Sequence, residues 1–168
     1  MPIAGFLEAL GASPPHRVPG TAIFLTSTPD ATPHALLHSL KHYQALHMCN
    51  VFLTVEYEDI PAVDTERRVS CEPFGSDAWR VIARFGFMER PDIIGALERC
   101  APHGLQLEPT EASYFLSREK IVSMPHAGRL RTWRDRVFAA MARNATSAPD
   151  FFNIPANRVV ELGTRIEI

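Results

Sequence analysis

Along the first third of the chain, apolar and polar positions fall into a strand, a turn, a helix and a second strand. Thr21-Ala22-Ile23-Phe24-Leu25 is a continuous apolar run, the pattern of a strand covered on both faces. Ser27-Thr28-Pro29-Asp30-Ala31-Thr32 follows as a polar turn, with Thr32 placed to cap a helix and Pro33 at the favoured first helical position. A helix is predicted over 33–46. At about 100° per residue, Leu36, Leu37, Leu40 and Tyr43 share its core face, while His34, His38, Lys41 and His42 gather on the opposite one. Val51-Phe52-Leu53-Thr54-Val55 is a second covered strand. Strand, helix, strand in this order implies a parallel, right-handed crossover, so residues 21–57 are expected to form the nucleus of the fold.

Beyond it the period changes. Residues 68–73 and 78–87 flank Gly75-Ser76-Asp77, a turn signal between two β-rich runs, and predict an antiparallel hairpin. In the second run Trp79, Val81, Ala83 and Phe85 alternate with Arg80, Ile82 and Arg84, giving one buried face. A helix over 91–101 opens at Pro91-Asp92, carries Ile93, Ile94 and Leu97, and stops before Pro102 and Gly104. Residues 113–123 read as one interrupted strand or two short ones. A long helix over about 128–146 turns Leu130, Trp133, Val137, Phe138 and Met141 inward, and 153–168 returns as a C-terminal strand. A short lead-in helix at 4–10 precedes all of this. The fold class expected is a single α/β domain with a mixed β-sheet, an N-terminal parallel βαβ unit, a β-hairpin and flanking helices.

Composition narrows the function. With 168 residues and 46% hydrophobic content the chain can bury a core of its own. A formal net charge of −2 argues against a dedicated nucleic-acid binder, which would carry a strongly basic face. The three cysteines, Cys49, Cys71 and Cys100, show no metal or disulfide spacing, which suits a reducing compartment. Apolar runs stop at about five residues, far short of the roughly 20 that a spanning helix needs.

Candidate chemistry sits in three places. The turn after the first strand offers Thr26, Ser27, Thr28 and Asp30 with Arg80 or Arg84 nearby, a setting for a small nucleotide or phosphate at a helix N-terminus. It has no glycine between Gly20 and Gly75 and no phosphate-loop motif, so a plain cap and turn is the simpler reading. His34, His38 and His42 repeat at i, i+4 and i+8 and line one helix face. A solvated polar face and a pH-responsive surface both fit that stripe, whereas zinc lacks a third ligand. Arg129, Arg136 and Arg143 lie seven apart on the long helix, a basic flank suited to an acidic partner or an anionic membrane surface. No nucleophile–base pair stands out, which leaves a small hydrolase as a weak alternative, and no cofactor is expected.

At the level of whole segments the chain resembles a known family. RVPGTAIFLT, PHALLHSLKHYQALH, RVIARFGFMERPDI, SYFLSRE and FFNIPANRVVELGTRIEI are similar, in the same order, to the C-terminal cytoplasmic domain of bacterial KUP/HAK/KT potassium uptake transporters. The likeness runs from about Phe6 to Ile168. It implies a longer protein that takes up potassium together with protons through membrane helices preceding this region. Residues 1–17 would then be a lead-in following the last membrane segment, and 18–168 the cytoplasmic α/β domain. Potassium-coordinating and proton-coupling residues would belong to the membrane part, outside this sequence. The resemblance implies a regulatory and assembly role at the cytoplasmic face of the inner membrane, with the chain's own membrane domain and a second copy as partners. C2 dimers are the commonest homo-oligomers. A nucleotide- or cyclic-dinucleotide-binding sensor is the alternative, by analogy with distantly related potassium importers.

Overall fold

The computed structural model describes residues 3, 5, 15–75, 77–122 and 151–167, with 118–122 and 164–167 as backbone. It is an α/β domain in which sheet dominates. Six strands run β1 His16–Thr26, β2 Ala45–Glu58, β3 Val69–Pro73, β4 Ala78–Gly86, β5 Ser113–Val122 and β6 Val159–Glu167. Among the described residues, helices α1, His34–Tyr43, and α2, Ile93–Glu98, accompany them, with 3-10 turns at Ala101–His103 and Ala156–Arg158. The predicted long helix over 128–146 and the lead-in helix over 4–10 lie outside the described residues, Gly5 aside.

The sheet order is β3-β4-β2-β1-β5-β6. Among the described strands only β3 runs antiparallel, in the hairpin with β4; β4, β2, β1, β5 and β6 pair in parallel. The mixed sheet, the βαβ unit and the hairpin are therefore as the sequence predicts. Interior strands of such a sheet are covered on both faces and read as continuous apolar runs. Successive residues duly alternate between two cores. Ile23, Val51, Leu53, Val81, Ala83, Phe85, Tyr114 and Leu116 join Ile93, Leu97 and Cys100 on one face. Ala22, Phe24, Phe52 and Ala78 join Ile3, Ala35 and Leu36 on the other. There Phe24 stacks between Phe52 and Phe115, with centroids 5.9 and 4.9 Å away.

Several boundaries differ from expectation. β1 begins at His16, not Thr21, because a register shift between Val18 and Thr21 absorbs Pro19 and Gly20, the latter at φ +101°. Helix α1 starts at His34, since Pro33 at ψ 133° is still extended and is itself the N-cap residue, without a side-chain cap; the predicted Thr32 cap is not the one formed. The helix ends at Tyr43, short of 46, where Gln44 turns left-handed at φ 52° and donates its N–H to Leu40 O at 3.1 Å. β2 starts at the next residue and runs through Glu58, much longer than the predicted apolar run over 51–55. Helix α2 likewise shrinks to 93–98, its N-cap Asp92 accepting from Gly95 N at 3.2 Å.

The core face of α1 is also turned. Ala35, Leu36 and Ser39 are buried, whereas Leu37 and Tyr43, both predicted inward, are 36% and 72% exposed. Small side chains at 35 and 39 let the helix settle close to the sheet, and Ala35 N donates to Ser117 Oγ of β5 at 3.0 Å.

Candidate functional site

The β1–α1 turn occupies a particular place in this sheet. From β1 the chain crosses to β2 on one side, whereas β5, the neighbour of β1 on the other side, leads on to β6. Adjacent strands whose connections diverge define a topological switch point, where α/β sheets commonly bind ligands at the carboxyl ends of the strands. Thr26 ends β1 here, and its hydroxyl shares a 2.7 Å hydrogen bond with the Thr54 hydroxyl of β2. Ser27 and Thr28 are exposed, and Ala31 N closes the turn onto Thr28 O at 3.4 Å. Asp30 is also tied inward, its carbonyl accepting from Ile3 N at 3.1 Å.

Of the two arginines considered for this turn, the structure brings only Arg80 to it. Arg80 Nη2 lies 3.2 Å from Asp30 Oδ1, its Nη1 reaches Glu72 Oε1 at 3.1 Å, and the guanidinium sits 4.2 Å over the Phe74 ring. Two carboxylates thus offset one cation. Its Nε is buried without a hydrogen-bond partner. Arg84 points elsewhere, pairing with Glu56 at 3.2 Å and donating to Ser70 Oγ at 2.8 Å. The first-turn amide of Ala35, one of those a helix N-terminus would offer an anion, already serves Ser117.

His34 and His42 are exposed and His38 is half-buried on α1. The i, i+4 spacing brings the rings of His38 and His42 into a stack, with centroids 5.8 Å apart and planes at 15°. Among the described residues no group of three or more His, Cys, Asp or Glu side chains is placed to hold a metal ion. Arg129, Arg136 and Arg143 lie outside the described residues.

Reactive thiols are not on offer among the three cysteines. Burial pushes all of them up from the ordinary thiol range, Cys100 furthest, and Cys100 Sγ points at Ala96 O at 3.7 Å. Tyr114 is likewise pushed up to about 12 by burial, its hydroxyl donating to Pro109 O at 2.8 Å.

The most strongly lowered carboxylate among the described residues escaped the sequence. At the carboxyl ends of β2 and β4, Glu89 accepts from Arg68 Nη2 at 2.5 Å, from Gly86 N at 2.7 Å and from Val63 N at 3.0 Å. The Arg68 guanidinium first, then the two amides, lower its carboxyl to about 2. Around this clamp the loops 58–61 and 86–89 are joined by Phe87 N to Ile60 O and Met88 N to Pro61 O, at 3.0 and 3.2 Å. The result is a cross-linked platform with Tyr57, Ile60, Phe87 and Met88 exposed. Only the run Phe87-Met88-Glu89, apolar residues beside an acid after a strand, hinted at it in the sequence.

Residues 19–168 match the family described as "K+ potassium transporter C-terminal domain". The chain belongs to this family. It is 51% identical over 168 residues to a protein of Nitrosospira multiformis named "Probable potassium transport system protein Kup", covering all of this chain and 26% of that one. A "Probable potassium transport system protein Kup 2" of Cupriavidus necator is 49% identical over 170 residues, covering 27% of its length. Its counterpart in Chromobacterium violaceum is 48% identical over 168 residues, again 27% of the relative. The chain thus spans about a quarter of the length of these relatives, which are named as transport proteins and not as enzymes. No solved structure matches it. Among the described residues no helix is long and apolar enough to cross a membrane. The resemblance seen in the sequence is confirmed, and with it a connection to potassium transport.

Proposed function

We propose that this chain is a non-catalytic regulatory and assembly domain of a proton-coupled potassium importer, lying at the cytoplasmic face of the inner membrane. The observation that carries the reading is full-length similarity, at 51% identity, to a named potassium transport protein of which this chain covers only 26%. In such a protein the remaining length would hold the transport path. This domain would hold two copies together and bias the conformational populations of the membrane part, which requires contacts that differ between two states. The stacked imidazoles of His38 and His42 give α1 a polar face on which such contacts can form. The test is rubidium uptake by the full-length transporter, with and without this domain, in cells stripped of their own potassium uptake. Altered uptake or altered pH dependence at equal membrane abundance supports the reading, and identical uptake under all conditions rejects it.

The switch-point position of the β1–α1 turn favours a second reading, a sensor for a nucleotide or cyclic dinucleotide. Calorimetry of the chain with adenine mono- and cyclic dinucleotides decides it. Saturable heat that is lost in Ser27→Ala with Arg80→Ala supports the sensor, and no heat with any of them removes it.

A further inference from the structure

The two edges of the sheet are built differently. β3 is a short edge, Val69–Pro73, and its last residue has no N–H to offer. That is how natural sheets blunt an edge against further pairing. β6 is the opposite case. It runs Val159–Glu167 without proline, and it pairs with β5 in an unbroken parallel register from Tyr114↔Val159 to Val122↔Glu167. Among the described residues nothing pairs with its other side. Val160 is 41% exposed on it, and a Cβ built on Gly163 meets nothing within 4 Å.

We propose that β6 is the dimer seam of this domain, two copies pairing antiparallel across a two-fold axis at Gly163 to form one continuous sheet. The inference rests on the assembly role proposed above and gives that role a surface. The strand Val159–Glu167 is centred on Gly163, so all of it pairs when Gly163 faces its symmetry mate. In that register Glu161 falls across from Arg165, and by symmetry the charge pair occurs twice. Val160 falls across from Ile166 and Leu162 from Thr164, which opposes β-branched or apolar residues of the kind that stabilise cross-strand neighbours.

Other registers lose these matches. A slip of one residue would oppose side chains that point to different faces of the sheet. Shifting the second copy by two residues in one direction sets Glu161 across from Glu167, a like-charge pair. Shifting it the other way sets Glu161 across from Gly163 and Arg165 across from Val159, so both charge pairs are gone. The strand is complementary to itself in one register.

The test is sedimentation velocity of the 168-residue chain over a range of concentrations, with circular dichroism confirming that each variant is folded. The parent is expected to dimerise. Glu161→Arg and Arg165→Glu should each weaken the dimer by about tenfold, since two cross-strand pairs turn repulsive. The double variant Glu161→Arg with Arg165→Glu should restore it. Under mild oxidation with glutathione disulfide, Gly163→Cys should form a covalent dimer above the background of the parent's own cysteines, and Val160→Cys should not. A dimer indifferent to the charge reversals and not linked by Gly163→Cys overturns the seam and leaves assembly through another surface. A chain that stays monomeric at every concentration overturns both the seam and the assembly role.

Discussion

Glu89, in the loop that separates β4 from α2, holds Arg68, just ahead of β3, at 2.5 Å, and the same carboxylate accepts the amides of Gly86 and Val63. One side chain thereby fixes the end of β4 against the loop following β2. With its carboxyl at about 2 in the folded state and ~4.3 in an unfolded chain, the folded state binds fewer protons. The stabilisation is fully present above the unfolded value and is lost as pH falls from there toward 2. Urea midpoints measured from pH 6 down to 2 should drop more steeply in the parent than in Glu89→Gln. At pH 7, Glu89→Ala should cost about 1–3 kcal/mol, because a guanidinium and two amides lose their acceptor.

Gly86 is locked by its neighbours and not by its φ. A Cβ there would overlap the carbonyl groups of Ile60 and Pro61. Gly86→Ala should therefore destabilise the fold by about 1–3 kcal/mol through overpacking. Gly163→Ala, where a Cβ meets open space, should cost far less in the same urea titration.

The turned face of α1 makes a sharp pair of substitutions. Leu36 is fully buried, whereas Leu37 is 36% exposed. Leu36→Ala should cost about 2–5 kcal/mol. Leu37→Ala should stay within about 0.5 kcal/mol. Equal losses at both positions would restore the inward face that the sequence period suggested.

For the stacked histidines, the expected outcome lies in the full-length transporter. Gln at both His38 and His42 removes the stacked pair of rings from the surface of α1. The pH profile of rubidium uptake should then differ from the parent's at equal membrane abundance. A profile superimposable on the parent's would take these histidines out of regulation.

The covered strands, the hairpin and the first βα unit were legible because period and apolar runs encode them locally. The lengths of β1 and β2 were not, since their outer residues are polar and are held by distant partners. Arg17 is one such case, donating to His47 O at 3.1 Å and pairing with Asp77 at 2.8 Å. The rotation of α1 was hidden because Ala35 and Ser39 carry little hydrophobic signal, and the Ala35 amide is held by Ser117, far along the chain. Placing β4 beside β2, and so Arg80 beside Asp30, also needed the sheet order. That order separated Arg84 from the turn, although Arg80 and Arg84 are equally plausible in the linear sequence.

The joint at Gln44 has a mechanical consequence. One left-handed residue is all that separates the last turn of α1 from the first ladder of β2, the strand that β1 and β4 flank. With so little slack, the helix cannot slide along the sheet without tearing the ladder or unwinding its own last turn. A push on the histidine face would be passed to the centre of the domain as a displacement of the whole body.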